Sequence, residues 1–294
     1  MNFQTSYRPF QTFSAYLDFF LPRMFSHENW PVYREYLWLV FGGAFDRFAA
    51  EGIGKDLTHD VDKYNAREIV TFRACMLGYE PCVKMAKELF AEMKRNCSGE
   101  HQLLSDVECN KIPHYIRQPV YTAAIEYGSQ EDFDFLFSKW KMEHYMLERE
   151  RMFTGLCFTE SRQNSDLAWS TLIDNRVREN VRNRAAACSK KLVRKSNIMD
   201  FLVDQIDRII ELMETARDSV VHNLIVLASR NVHAAEDIEK LDKVLSHLGD
   251  YGKRCVVFKR QALSRQEWRE TMGSLVAGNA SEAIVTMRSR QITL

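Results

Sequence analysis

The sequence contains few of the residues that most often interrupt helices. Its 294 residues include 12 glycines and 6 prolines. Since these two residues punctuate turns, their scarcity favours long helices with few tight turns between them. Strand-like alternation is almost absent too. The stretch RCVVFK at 254–259 is the one short strand candidate, and it fits equally well as part of a helix.

An excess of charge of one sign is missing as well. Lysine plus arginine and aspartate plus glutamate both number 40, so the net charge gives no reason to expect a nucleic acid or an anionic membrane as partner. The longest apolar run, residues 36–45, is about half the length that crosses a bilayer. We therefore expect no membrane span and no nucleic-acid partner.

The motifs of common catalytic and metal sites are also absent. The sequence has no Walker loop, no G-x-S-x-G and no C-x-x-C. The pair His27–Glu28 approaches the zinc motif H-E-x-x-H, but Pro31 stands where the second histidine would be. Because proline fits the first turn of a helix, we expect this pair in a turn before a helix start. The sequence thus predicts no catalytic residue, no metal site and no cofactor.

Helical periodicity dominates what is present. Apolar residues recur at helical spacing in several segments, most of which end at a glycine. The predicted helices cover residues 33–52, 60–78, 81–96, 115–128, 129–145, 197–216 and 234–249. The chain is therefore expected to be all-α.

An internal repeat of 50 residues relates two of the predicted helix pairs. The matched residues are Arg67 and Arg117, Val70 and Val120, Ala74 and Ala124, Gly78 and Gly128, and Phe90 and Trp140. A single helix hairpin cannot bury its apolar faces alone, so such units stack side by side. We expect a superhelical stack of antiparallel helix hairpins, a HEAT- or armadillo-like α-solenoid, formed by one domain over 1–294.

Two of the seven cysteines lie close to a predicted corner. On one continuous helix Cys75 and Cys82 would be about 10.5 Å apart at Cα, beyond the roughly 7 Å that a disulfide tolerates. Gly78 and Pro81 break the helix between them, so the two side chains can face each other. Two alternatives stay open: a disulfide in an oxidising compartment, or two buried thiols in the cytosol.

One segment carries a strong local excess of positive charge. Residues 175–195 contain one acidic residue, Glu179, against eight basic ones: Arg176, Arg178, Arg182, Arg184, Lys190, Lys191, Arg194 and Lys195. The segment has no interleaved aromatic residues, which weakens an interpretation as a single-strand nucleic-acid site. It can hold a carboxylate or a phosphate, or it can be a solvated helix face.

A series of motifs in the middle of the chain resembles a known family. Residues 112–140 contain Ile112–Pro113, then Arg117, then Val120–Tyr121, and a glycine followed by an acidic and aromatic helix. This pattern resembles the C-terminal helical domain of the aminopeptidase N and endoplasmic-reticulum aminopeptidase family, which are gluzincin zinc aminopeptidases. The resemblance runs over about 10–280 and is most specific at 67–140.

The resemblance carries several implications. In the family this domain is a bowl-shaped stack of helix hairpins that closes over a separate zinc domain, whose H-E-x-x-H and G-A-M-E-N motifs do not occur here. A disulfide corresponding to Cys75–Cys82 is implied. A second family disulfide would lack its first cysteine, where Thr122 stands, so no such bond to Cys157 is expected.

A peptide site and a location are implied as well. In peptide-binding relatives a basic residue near the position of Lys190, Lys191 and Arg194 faces the carboxylate of the bound peptide. A lysine there keeps the charge but not the planar guanidinium fork. The family is mostly luminal or extracellular, whereas the N-terminus, whose apolar stretch is interrupted by Asp18 and Pro22, has no signal-peptide pattern and favours the cytosol.

Three functional hypotheses follow. The first is a non-catalytic peptide- or protein-binding α-solenoid, with a peptide or a catalytic aminopeptidase relative as its partner. The second is a fragment or trans-acting subunit of an active zinc aminopeptidase whose catalytic domain is on another chain. The third is a structural scaffold without a ligand.

Overall fold

The protein is helical throughout the part of the chain that the structure describes. This computed structural model describes residues 7–25, 27–53, 60–174, 198–214 and 218–291, and no strand occurs within them. The all-α prediction is confirmed. The short strand candidate at 254–259 lies inside a long helix, so its alternative interpretation as a helix piece is the correct one.

Fourteen α-helices are labelled here in chain order within these described ranges. They are α1 (Tyr7–Met24), α2 (Trp30–Leu37), α3 (Gly43–Ala50), α4 (Val61–Met76), α5 (Glu80–Asn96), α6 (Arg117–Glu126), α7 (Gln130–Met142), α8 (Met146–Leu156), α9 (Arg162–Ser170), α10 (Ile198–Asp204), α11 (Ile206–Glu214), α12 (Asp218–Arg230), α13 (Ala235–His247) and α14 (Gly249–Gln291). A π-helical turn, Trp38–Gly42, joins α2 to α3, and a 3-10 turn, His114–Ile116, precedes α6.

The helix ends follow from local sequence. Pro31 and Pro81 occupy the first turns of α2 and α5, where a missing backbone N–H costs little. Gly52 and Gly78 follow α3 and α4 with φ of 93° and 75°, a left-handed conformation that glycine adopts without strain. At the start of α7, Ser129 and Asp132 form a reciprocal capping box.

The described residues divide into two compact units. Unit 1 takes in the chain up to residue 19, residues 29–158 and the chain from 275 onward, and unit 2 takes in residues 20–28 and 159–274. The expected single domain over 1–294 and the superhelical form of the stack both stay predictions. Within the described ranges, no helix combines the length and apolar character that a membrane crossing requires.

Unit 1 contains the two repeated hairpins, α4–α5 and α6–α7. The residues matched by the 50-residue repeat are buried in equivalent ways: Val70 and Val120 are fully buried, and Phe90 and Trp140 are 2% and 3% exposed. The matched arginines are buried too and bond back to the preceding connection. The Arg67 guanidinium donates to the Gly52 carbonyl at 2.8 Å.

The connection between these hairpins, residues 97–116, is held from several sides. Cys97 and Cys109 form a disulfide with Cα atoms 5.1 Å apart. The buried Lys139 ammonium donates to the carbonyls of residues 99 and 102 at 2.7 and 2.9 Å. The fully buried Glu143 carboxylate accepts from the backbone N–H and the hydroxyl of Ser105 at 2.9 and 2.8 Å. This segment is therefore as firmly fixed as the helices it joins.

The π-helical turn depends on a glycine in close contact with an aromatic ring. A Cβ on Gly42 would lie 2.7 Å from the Tyr79 ring, whereas a Cβ on Gly43 would meet nothing within 4 Å. The Tyr79 ring is itself fixed, since its hydroxyl donates to Asp46 at 2.6 Å and it packs edge-on against Phe45. The absence of a side chain at Gly42 lets α2, α3 and the start of α5 approach closely.

Unit 2 is built around α10. This helix packs against α12 and α13, and α11 packs against α12. Phe201 of α10 meets Trp169 of α9 edge-on, with ring centroids 5.5 Å apart. The predicted continuous helix over 197–216 is divided between α10 and α11 at Gln205. Cys255, in α14, is a buried free thiol.

Candidate functional site

The predicted peptide-binding residues belong to the chain segment that follows α9 in the sequence. Lys190, Lys191 and Arg194 lie outside the described residues. In the chain they fall between α9, which ends at Ser170, and α10, which begins at Ile198. The described helices that flank this segment in the sequence are α9 on one side and the α10–α11 pair on the other.

A groove lies between α9 and the α10–α11 pair. It encloses about 430 Å³, within the range of small-molecule and side-chain binding sites. Its wall from α9 consists of Gln163, Asp166, Leu167 and Ser170, and its wall from α10–α11 consists of Phe201, Asp204, Gln205 and Arg208. The groove thus combines two apolar residues, three amide or hydroxyl side chains, two carboxylates and one guanidinium.

Asp166 gives the groove a hydrogen-bond acceptor. Its Oδ2 lies 3.7 Å from Nε of Arg162, while among the described residues no hydrogen-bond donor reaches its buried Oδ1. Burial raises the pKa of the Asp166 carboxyl; Arg162 lowers it in part, and Asp204 raises it again. The Asp166 side chain is 40% exposed, so its carboxylate can accept a hydrogen bond from a ligand N–H in the groove.

The remaining charges beside the groove form an ion-pair network. Arg162 lies 3.9 Å from Asp200 and 3.8 Å from Asp204, and Lys240 lies 2.9 Å from Asp200. Arg208 is exposed at the rim of the groove. Because the side chains of these pairs are partly exposed, the network orients the carboxylates and contributes little stability.

This arrangement suits a ligand that is itself amphipathic. Leu167 and Phe201 offer apolar surface, Asp166 accepts hydrogen bonds, and Arg208 can pair with a carboxylate or carbonyl oxygen. A peptide segment presents these groups together. Sequence reasoning missed the groove because its walls lie on opposite sides of residues 171–197 in the chain, and no short motif joins them.

Within the described residues, His27 and its neighbours do not form a zinc site. His27 lies in the turn between α1 and α2, where the sequence predicted it, and α2 begins at Trp30 with proline in its first turn. Across the described ranges, no group of three or more histidine, cysteine or acidic side chains is placed to hold a metal ion.

The cysteines of unit 1 are more extensively paired than the sequence indicated. Cys75 and Cys82 are joined across the corner at Gly78, with Cα atoms 5.1 Å apart. The Cys97–Cys109 bond was not predicted, since the irregular segment 97–116 gives no periodicity from which a distance can be worked out. Cys157, to which no disulfide was expected, is also disulfide-bonded. That expectation was wrong because it depended on a family position occupied by Thr122.

The most specific motif residues form a buried structural network. The Arg117 guanidinium donates to Glu148 at 3.1 Å and to the carbonyls of Leu104 and Ile112 at 3.0 Å. The Tyr121 hydroxyl donates to the other Glu148 oxygen at 2.6 Å, and burial raises the pKa of this phenol, which keeps it protonated. Arg117 and Glu148 are 1% and 0% exposed. The motif therefore ties α6 to α8 and to the preceding connection, away from solvent.

Comparison with known proteins places these observations in a family. The family model described as the ERAP1-like C-terminal domain matches residues 2–257. Among curated proteins, aminopeptidase N from Canis lupus familiaris is 22% identical over 258 residues, which cover 86% of this chain and 25% of that protein. The chain thus spans about a quarter of the length of this relative.

Proposed function

The chain belongs to the family of ERAP1-like C-terminal domains, as its resemblance to that part of the aminopeptidase N family predicts, and on this premise we propose that it is a non-catalytic peptide- or protein-binding domain. The family match concerns the C-terminal domain, which lacks the catalytic zinc site. The absence of H-E-x-x-H from the sequence supports the same conclusion.

The groove of unit 2 supports peptides as the ligand class. A peptide seated between α9 and α10–α11 would place an apolar side chain against Leu167 and Phe201 and a backbone or side-chain N–H at Asp166. The chain segment that follows α9 carries Lys190, Lys191 and Arg194, which in this proposal pair with the peptide's C-terminal carboxylate. The mixed lining of the groove is the observation that carries the proposal, and the basic segment that follows α9 in the sequence supports it.

Fluorescence anisotropy with a panel of labelled peptides tests the proposal. Each peptide is compared as the free acid and as the C-terminal amide, and we expect the free acid to bind about tenfold or more tightly because a charge-assisted contact is worth roughly 1.5–3 kcal/mol. The combined reversal of Lys190, Lys191 and Arg194 to glutamate should abolish this preference. Leu167→Asp, an exposed position in the groove, should weaken both forms of the peptide.

A matched control separates a local effect from a change in net charge. Lys84, Lys87 and Arg95 are exposed on α5 in unit 1, and their combined reversal changes the net charge equally. We expect this control to bind like the wild type. If no peptide binds, or if both triple variants behave alike, the proposal is wrong.

A second candidate function is supported by the comparison with aminopeptidase N. Because the chain spans a quarter of that relative, it is also proposed to act with a catalytic zinc domain carried on another chain. Aminopeptidase assays with and without chelator, on the pure chain and on material co-purified with an H-E-x-x-H protein, distinguish the two functions. Chelator-sensitive turnover in the pure chain would contradict both.

The disulfides suggest where the domain works. With Cys75–Cys82 and Cys97–Cys109 both paired, we propose that the protein matures in an oxidising compartment, since disulfides form and persist there. Mass spectrometry of alkylated protein, isolated without reductant, checks the redox state of these cysteines.

A further inference from the structure

The exposed end of helix α5 carries a short pattern that neither proposed function uses. Asn96, Cys97 and Ser98 form the sequence Asn-x-Ser, which is the acceptor sequence for N-linked glycosylation. Asn96 is the last residue of α5, and Ser98 lies in the irregular segment that follows. Because two fixed residues often occur together by chance, the surroundings of these side chains decide whether the sequence can be used.

Both side chains of this acceptor sequence are accessible. Asn96 and Ser98 are exposed, and so are Arg95, Gly99 and Glu100 beside them, which leaves room for a bulky polar group. Among the described residues, no hydrogen bond or ion pair involves the Asn96 amide or the Ser98 hydroxyl. A glycan on Asn96 would therefore break no side-chain hydrogen bond within this part of the chain.

The middle residue of the acceptor sequence links it to the proposed compartment. Cys97 forms a disulfide with Cys109, and disulfides form in the oxidising compartments through which secreted proteins pass. Sugars are attached to asparagine in surface segments of proteins that follow the same route. The inference below therefore rests on the proposed maturation in an oxidising compartment and is independent of peptide binding.

A second Asn-x-Ser sequence lies in a different setting. Asn279, Ala280 and Ser281 are all inside the long helix α14. The Ser281 hydroxyl donates to the Ala277 carbonyl one turn earlier at 3.1 Å, and Ala280 is buried. This acceptor sequence would have to leave a continuous helix, whereas Asn96 stands at a helix end, where fewer backbone hydrogen bonds hold the chain. The structure favours Asn96 for this reason.

We propose that Asn96 is a site of N-linked glycosylation. In this reaction a bond forms between Nδ2 of Asn96 and the anomeric carbon of an oligosaccharide that is carried on a lipid diphosphate. The bond between that carbon and the diphosphate oxygen breaks, and the lipid diphosphate leaves with the electron pair. The amide nitrogen gives one proton to a base of the transferase. The product has a bulky, hydrophilic group at the C-terminal end of α5.

Mass spectrometry of the full chain, produced in eukaryotic cells behind a cleavable secretion leader, tests the site. Trypsin releases residues 96–111 as one peptide, because basic residues stand at 95 and 111 and none lies between them. This peptide contains Asn96 and both cysteines of the Cys97–Cys109 bond. An amidase that removes N-linked glycans converts a glycosylated asparagine to aspartate, and we expect this conversion at Asn96.

The same peptide separates this inference from the proposal on which it rests. An intact disulfide together with an unmodified Asn96 would overturn the glycosylation site and leave the oxidising compartment standing. In protein isolated from its natural cells without reductant, free thiols at Cys97 and Cys109 would contradict the oxidising compartment, and the glycosylation site with it.

Single substitutions assign the modification to Asn96. Asn96→Gln and Ser98→Ala each remove the acceptor sequence at an exposed position, and both should abolish the gain in gel mobility that the amidase produces. Ser98→Thr keeps the acceptor sequence and should keep the modification. Asn279→Gln is the matched control and should behave like the wild type. If the modification persists in Asn96→Gln and is lost in Asn279→Gln, the assignment to Asn96 is wrong.

Discussion

The buried pair Arg117–Glu148 provides the sharpest test of how unit 1 is held together. Glu148→Gln keeps the shape of the side chain and removes its charge. The change leaves Arg117, which is 1% exposed, without its carboxylate partner. It also disturbs the acceptor of the Tyr121 hydroxyl, since a glutamine amide offers one oxygen where the carboxylate offers two.

The size of the effect follows from the burial of both partners. Removing one member of a buried ion pair typically costs about 3–5 kcal/mol, because the remaining charge stays buried and uncompensated. Arg117 keeps its bonds to the carbonyls of Leu104 and Ile112, which still stabilise the guanidinium. We therefore expect a loss at the lower end of that range, about 3 kcal/mol of unfolding free energy.

Urea denaturation followed by circular dichroism measures this loss. The matched control is Glu108→Gln, which removes the same charge from a glutamate 3.6 Å from Lys111, where the two side chains are 87% and 61% exposed. We expect little or no change for the control, since exposed pairs contribute little. A loss for Glu148→Gln no larger than that of the control would refute the reasoning.

Three further predictions concern other parts of unit 1. Gly42→Ala should lower the free energy of unfolding by about 1–3 kcal/mol, because its Cβ would press on the Tyr79 ring. Gly43→Ala should raise it by up to about 1 kcal/mol. Thermal melts in which both variants shift in the same direction would contradict this. Cys75→Ser should lower the free energy of unfolding by about 2–3 kcal/mol, because the cross-link to Cys82 is lost. A reductant should destabilise the wild type by a similar amount and should destabilise the variant less than the wild type. Burial acts to raise the pKa of Asp132, but hydrogen bonds at the α7 N-terminus and a nearby lysine outweigh it and lower the pKa. The stability that the ionised Asp132 contributes is therefore complete above the pKa of the unfolded chain, about 3.9, and is lost as pH falls through the lowered pKa of the folded state. Asp132→Asn should thus make the melting temperature fall less steeply at acid pH. An unchanged fall would count against this assignment.

Much of the helical framework of unit 1 could be predicted from sequence. Apolar periodicity and glycine stops located α4 to α7 to within a few residues, because helix boundaries there depend on neighbouring residues. The repeat was informative for the same reason, since equivalent positions in two hairpins face equivalent surroundings. Arg67 and Arg117 are matched in the sequence and both bond to the connection that precedes their helix.

The features that could not be predicted from the sequence depend on contacts between distant parts of the chain. The pairing of Arg117 with Glu148 spans 31 residues, and neither residue lies in a pattern that indicates burial. The buried face of α14, which includes Ala262, Arg265, Arg269 and Ala277, was missed because it consists largely of small residues and arginines, which give a weak apolar signal. The groove in unit 2 arises from the packing of helices that are separate in sequence, so composition alone could not locate Asp166 or Arg208.

The covalent ring closed by Cys97 and Cys109 leaves no hinge between the two repeated hairpins. Hinge motions usually depend on a few loop residues whose backbone torsions change freely. In residues 97–116, Lys139 holds a loop carbonyl and Glu143 holds a backbone N–H. A rotation of one hairpin relative to the other would break these hydrogen bonds and leave two buried charges without partners. We therefore expect the two hairpins to move together, so that this part of unit 1 adapts to a partner through its surface side chains.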